Sequence, residues 1–154
     1  MPKSSKPFGD MRSQDRTDSV SRLREDWRVA RVAYSDLEMI RVPRVNVLLR
    51  GAEGVVQNVI DMLMPTLRTP VEIWQPGEPL RLPAVAQTGT IILREIGRLT
   101  SEDQSQLLAW LDDAVGRTQV VSTTAWPMLS RVHSGGFIDT LYYRLNTVYV
   151  NLTA

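Results

Sequence analysis

Five short apolar runs alternate with stretches of helical period, and this alternation limits the folds open to the chain more than any other feature. The runs are Val45 to Leu49 (VNVLL), Val71 to Trp74 (VEIW), Thr90 to Leu93 (TIIL), Gln119 to Thr123 (QVVST) and Thr147 to Leu152 (TVYVNL). Strands that are apolar on both faces belong in the middle of a layered fold, and helices between them predict a parallel sheet covered on both sides, an α/β architecture. The helices are expected from Val55 to Leu63, ended by Pro65, and from Ser101 to about Val115, with Ser101 and Gln104 spaced as a capping box. Two shorter ones are expected near Met128 to His133 and Ile138 to Leu145, parted by Gly135 and Gly136. Ligands of such sheets bind beyond the C-terminal strand ends, so the segments after Leu49, Leu93 and Thr123 are where function is expected.

A chain of 154 residues fits one domain of this kind. It has no cysteine and one histidine, which excludes disulfides, thiolate metal sites, cysteine nucleophiles and paired-histidine relays. Its only lysines are Lys3 and Lys6. No apolar run reaches the roughly 18 residues of a membrane span, and no secretory signal is present, so a cytoplasmic protein without membrane contact is expected. Residues 1–50 carry 11 Lys/Arg against 7 Asp/Glu, but acids such as Asp10, Asp15 and Asp18 are interleaved with them. Residues 1–18 therefore read as a solvated, disordered tail. Val20, Leu23, Trp27, Ala30, Tyr34 and Leu37 form one stripe on a helical segment, residues 19–42, which either docks on its own domain or forms a homodimer seam. Residues 43–154 make up the α/β domain.

Several stretches then resemble one family. Gly89 to Gly97 (GTIILREIG) is similar to the Walker B segment, GTLFLDEIG, of the sigma-54-dependent activators among the AAA+ ATPases. Residues 120–124 (VVSTT) resemble its sensor-one strand, and residues 135–146 (GGFIDTLYYRLN) its GxFRxDLYYRLN. The resemblance spans roughly residues 36–152 and implies a P-loop NTPase sheet of strand order 5-1-4-3-2. It also implies which positions once served a nucleotide: Gly51, Gly54, Gln57 and Asn58 in the P-loop, Arg94 and Glu95 in Walker B, Thr124 in sensor one, and Arg144 as one of two arginines that reach a neighbour's nucleotide.

The residues at those positions depart from the pattern. A P-loop needs glycines for close backbone approach, a lysine on the terminal phosphates and a hydroxyl on Mg²⁺. Here the third glycine is Val56, the lysine is Gln57, the hydroxyl is Asn58, the metal-linked Asp is Arg94, the sensor Asn is Ala125 and the first trans arginine is Ile138. Neither a catalytic group nor a metal ligand is expected, and the enzyme reading gives way to a pseudo-ATPase. Gln75 to Thr88 leaves no room for the family's GAFTGA loop, which argues against direct sigma-54 contact. The helical lid and the DNA-binding helix-turn-helix are expected to be absent. Two functions stay open. One is a non-catalytic module of bacterial transcription regulation or signalling that contacts a protein partner, such as an active AAA+ relative or another regulator. The other is a sensor that holds a nucleotide or anion weakly, without Mg²⁺ or hydrolysis, with Arg94 supplying the charge.

Overall fold

Val47, Leu48 and Leu49 put three apolar side chains in succession, so a strand built from them has to be covered on both faces. In the computed structural model it lies inside the sheet. The structure describes residues 45–84, 89–114 and 117–153; the tail expected over 1–18 and the helical segment expected over 19–42 lie outside them. The described elements are β1 (Val47–Arg50), α1 (Glu53–Leu63), a 3-10 turn (Met64–Thr66), β2 (Val71–Trp74), β3 (Thr90–Leu93), a second 3-10 turn (Ile96–Arg98), α2 (Ser101–Ala114), β4 (Gln119–Thr124), α3 (Leu129–His133), α4 (Asp139–Leu145) and β5 (Val148–Asn151).

All strand pairs are parallel and the order is β2-β3-β4-β1-β5, the expected 5-1-4-3-2 read from the other edge. Alternation along the strands divides the core in two. Val47, Leu49, Ile92, Val121 and Val150 pack under Val56, Val59, Ile60 and Leu63 of α1. On the opposite face Leu48, Leu93 and Val120 meet Leu107 and Leu111 of α2, Leu141 and Leu145 of α4, and Phe137.

Two local expectations need correction. β1 starts at Val47 rather than Val45, because Asn46 spends its side chain elsewhere: its Oδ1 accepts from the Val120 N–H at 3.0 Å and its Nδ2 donates to the Arg144 carbonyl at 3.0 Å. The α2 cap is Thr100, not Ser101. Thr100 Oγ1 accepts from the Asp103 N–H at 3.1 Å, and Ser101 is already helical. Gln104, expected to complete a capping box, is instead buried: its Nε2 donates to the carbonyls of Leu99 and Gly136, and its Oε1 accepts from the Ile138 N–H at 2.9 Å.

A parallel crossover normally carries a helix. The β2-to-β3 connection has none among its described residues, 75–84. It runs as a strap over the α2 face, with Leu80 buried in the core. Two indoles hold it: Trp74 Nε1 donates to the Glu78 carbonyl and Trp110 Nε1 to the Pro83 carbonyl, each at 2.9 Å. No helix among the described residues is long and apolar enough to cross a membrane.

Candidate functional site

Three chain segments meet where the inner strands end. After β1 the chain turns at Gly51, whose N–H donates to the Thr124 carbonyl at 3.0 Å. It enters α1 at Glu53 with no side chain capping the helix. Gln57 lies one turn further on. After β3, Arg94 donates its N–H to the Trp74 carbonyl at 3.2 Å. Glu95 then adopts a left-handed backbone, φ 48°, which turns the chain into the second 3-10 turn. The Glu95 N–H is taken by Thr123 Oγ1 of β4 at 3.1 Å.

These segments enclose a cleft of about 30 Å³ between Gln57, Arg94, Glu95, Thr123 and Glu53. That is space on the scale of a single water molecule. Arg94 lies across it: its Nη2 donates to Gln57 Oε1. Gln57 Nε2 in turn donates to Asp61 Oδ1 at 2.7 Å. The Asp61 carboxylate thus orients the amide so that its oxygen faces the guanidinium. Arg94 Nε is buried and has no hydrogen-bond partner. Burial pushes the Glu95 carboxyl above its ordinary value of 4.5; a hydrogen bond from the Ala125 backbone and the charge of Arg98 oppose this, and the nearby Glu53 carboxylate adds to it.

Of the eight residues singled out in the sequence, Gln57, Arg94 and Glu95 line the cleft. Gly51 and Gly54 lie in the turn and the first helical turn beside it. Asn58 is on the exposed side of α1 and does not line it. Thr124 is also elsewhere: its hydroxyl accepts from the Trp126 N–H and donates to the Trp126 carbonyl, closing the turn after β4, while Thr123 faces the cleft. Arg144 pairs with Asp112 of α2 at 2.6 Å, the one ion pair among the described residues. Arg94 and Glu95, neighbours of opposite charge in the sequence, do not pair; the left-handed backbone at Glu95 turns the chain between them, and Gln57 takes the guanidinium. Sequence reasoning also missed Asp61, for which a Gln–Asp pair four apart on a helix was an available signal. It missed Trp126, 72% exposed in the turn after β4, which no pattern marks.

The donor set does not suit a magnesium nucleotide. A phosphate needs a cation free to meet it, yet Arg94 Nη2 is engaged by Gln57 and the same cleft is lined by the carboxylates of Glu53 and Glu95, which disfavour an anion. The metal-linked position carries a cation of its own, and no three His, Cys, Asp or Glu side chains gather among the described residues.

Comparison with known proteins gives a consistent result. A family model described as the sigma-54 interaction domain matches residues 30–154. The transcriptional regulatory protein TyrR of Citrobacter braakii is 32% identical over a 78-residue alignment that takes in 44% of this chain and 15% of that protein. The TyrR protein of Salmonella typhimurium matches with the same figures. The chain therefore spans under one-sixth of the length of these relatives. Among solved structures, NtrX of Brucella abortus in complex with ATP superposes with a TM-score of 0.60 at 17% identity, over 98% of this chain and 39% of that one. Its complex with ADP gives 0.57 at 20% identity, over 97% and 44%. At these identities the likeness bears on the fold.

Proposed function

The chain belongs to the sigma-54 interaction domain family, and from that premise we propose that it is a non-catalytic member acting in bacterial transcription regulation through protein–protein contacts. The observation that carries the reading is the Arg94–Gln57 hydrogen bond inside the cleft. Where an active P-loop enzyme sets a lysine against phosphate and a carboxylate behind Mg²⁺, this chain sets an amide against a guanidinium, and the two occupy each other. Glu95 keeps the place of a water-activating acid, but an acid with neither metal nor polarised phosphate beside it has nothing to activate. The similarity to TyrR proteins, whose name is that of transcriptional regulatory proteins, supports the regulatory setting.

The anion-sensor alternative rests on the unpartnered Arg94 Nε and the uncapped start of α1. Two carboxylates at the same cleft and its volume of about 30 Å³ count against it. We therefore propose that no nucleotide is held. The test is phosphate release from ATP with Mg²⁺ across a protein concentration series. No release above the blank is expected. Turnover that disappears in Glu95→Gln would overturn the reading.

A further inference from the structure

Among the described residues β2 is an edge strand, and the orientation of its backbone follows from its partner. The carbonyls of Pro70 and Trp74 accept from Thr90 and Arg94 N–H groups at 3.1 and 3.2 Å, so the alternate residues, Val71 and Ile73, turn their N–H and C=O groups away from the sheet. The Ile73 side chain is 43% exposed. Against this edge, on the α2 face, the strap leaves a cavity of about 330 Å³, in the position a crossover helix would fill. Its floor is Trp74, Leu80 and Leu93, and its rim carries Glu72, Glu78 and Arg81. Neither glutamate has an ion pair among the described residues.

Unpaired strand edges are templates for another strand. A second copy of this chain is a poor occupant. The two-fold register that uses both outward residues of each edge sets Val71 opposite Ile73 of the other copy and Glu72 directly opposite its own equivalent, a like-charge pair. The same carboxylate favours a strand with a cation at that place, and Glu78 adds a second negative charge against the single positive charge of Arg81.

We infer that the outer edge of β2 docks an extended peptide segment of a protein partner, with a basic residue seated in the cavity against Glu72 and Glu78 and an apolar neighbour on Ile73. The segment adds to the sheet through the N–H and C=O groups of Val71 and Ile73. The stem of its arginine or lysine lies on Trp74 and Leu80 while the charge stays at the rim. The inference rests on the reading that the module works through protein contacts, and it names the surface used.

The probe is a fluorescein-labelled Ser-Val-Arg-Val-Arg-Val-Ser peptide, with Ser-Val-Glu-Val-Glu-Val-Ser as its counterpart, titrated with the full chain and read by anisotropy. The arginine peptide is expected to bind at least tenfold more tightly, and to protect the Val71 and Ile73 amides from hydrogen exchange. Glu72→Arg with Glu78→Arg should reverse the preference. Ile73→Pro, which removes an outward N–H and no ladder bond, should weaken binding at least tenfold. If that variant fails to fold, the reversal by the two surface charges decides the matter. Equal binding of both peptides, no binding at 1 mM protein (about the weakest affinity worth assigning), or a dimer of the free chain dissolved by Ile73→Pro would overturn the inference. Phosphate release measured in parallel separates the two proposals. A flat assay without peptide binding removes this surface alone, whereas turnover removes the non-catalytic reading whatever the peptide does.

Discussion

The Arg94–Gln57 contact lends itself to a charge-restoring double-mutant cycle. Gln57→Lys puts an ammonium where an amide oxygen now faces the guanidinium. At about 4 Å, two like charges repel by about 1 kcal/mol in bulk water and about 4 kcal/mol at an effective dielectric of 20. The cleft is half-buried, so the expected repulsion is about 2 kcal/mol. The new side chain gains an i,i+4 pairing with Asp61, but that contributes only about 0.3–0.5 kcal/mol and does not offset the repulsion. Arg94→Asp alone removes a hydrogen bond to a charged group and brings a carboxylate toward Asp61, costing about 1.5–3 kcal/mol. Together the two changes turn the repulsion into attraction. The double variant should therefore exceed the sum of the singles by about 2–3 kcal/mol of favourable coupling, the upper part of the range for residues in direct contact. Urea denaturation at neutral pH reads each corner. With a slope of about 2 kcal/mol per molar, Gln57→Lys should lower the midpoint by nearly 1 M. Additivity within about 0.5 kcal/mol would refute the reasoning, because it would mean that the two side chains do not meet in solution.

Gln104→Leu should lose about 1–3 kcal/mol in the same assay, since it leaves the half-buried Ile138 N–H without its acceptor and removes the donor to the Leu99 and Gly136 carbonyls; a loss under about 0.5 kcal/mol would refute the role assigned to the amide. Glu95→Gln should change the pH dependence of stability. A carboxyl whose pKa is raised on folding holds its proton more tightly in the native state, so stability falls as pH rises through the window between 4.5 and the folded value. The melting temperature of the wild type should thus drop relative to Glu95→Gln as pH is raised through that window, and a constant difference would refute it.

Strands bounded by strong punctuation were legible to the residue. VEIW follows Pro70 and precedes Pro76, TIIL follows Gly89, and β2 and β3 begin and end where the sequence predicted. Boundaries moved where a polar side chain did something non-local. Asn46 reaches β4 and the end of α4, and Gln104 reaches the segment before α4; neither partner is near in sequence. The site was legible as positions and not as contacts. The replacement of lysine by Gln57 and of aspartate by Arg94 could be read from motif alignment, but their meeting depends on α1 and the end of β3 being brought together by the sheet. Arg94 and Glu95 adjoin in sequence yet do not pair, because adjacency says nothing about side-chain direction once the backbone turns left-handed.

The retained glycines separate what the fold requires from what a phosphate would have required. A Cβ on Gly51 would come within 2.9 Å of Leu152 Cβ, and one on Gly89 within 2.4 Å of the Arg68 carbonyl oxygen. Both positions are held by close approach of the chain to itself, at the end of β5 and at the start of β3. A Cβ on Gly54 would meet nothing within 4 Å. The survival of Gly51 is therefore accounted for by packing and is no sign of a working phosphate loop. The two apolar cores are likewise assembled without Gln57, Arg94 or Glu95. A sheet of this design stands on Leu, Val and Ile contacts within each layer, so the strand-end positions can exchange lysine for amide and carboxylate for guanidinium while the architecture persists.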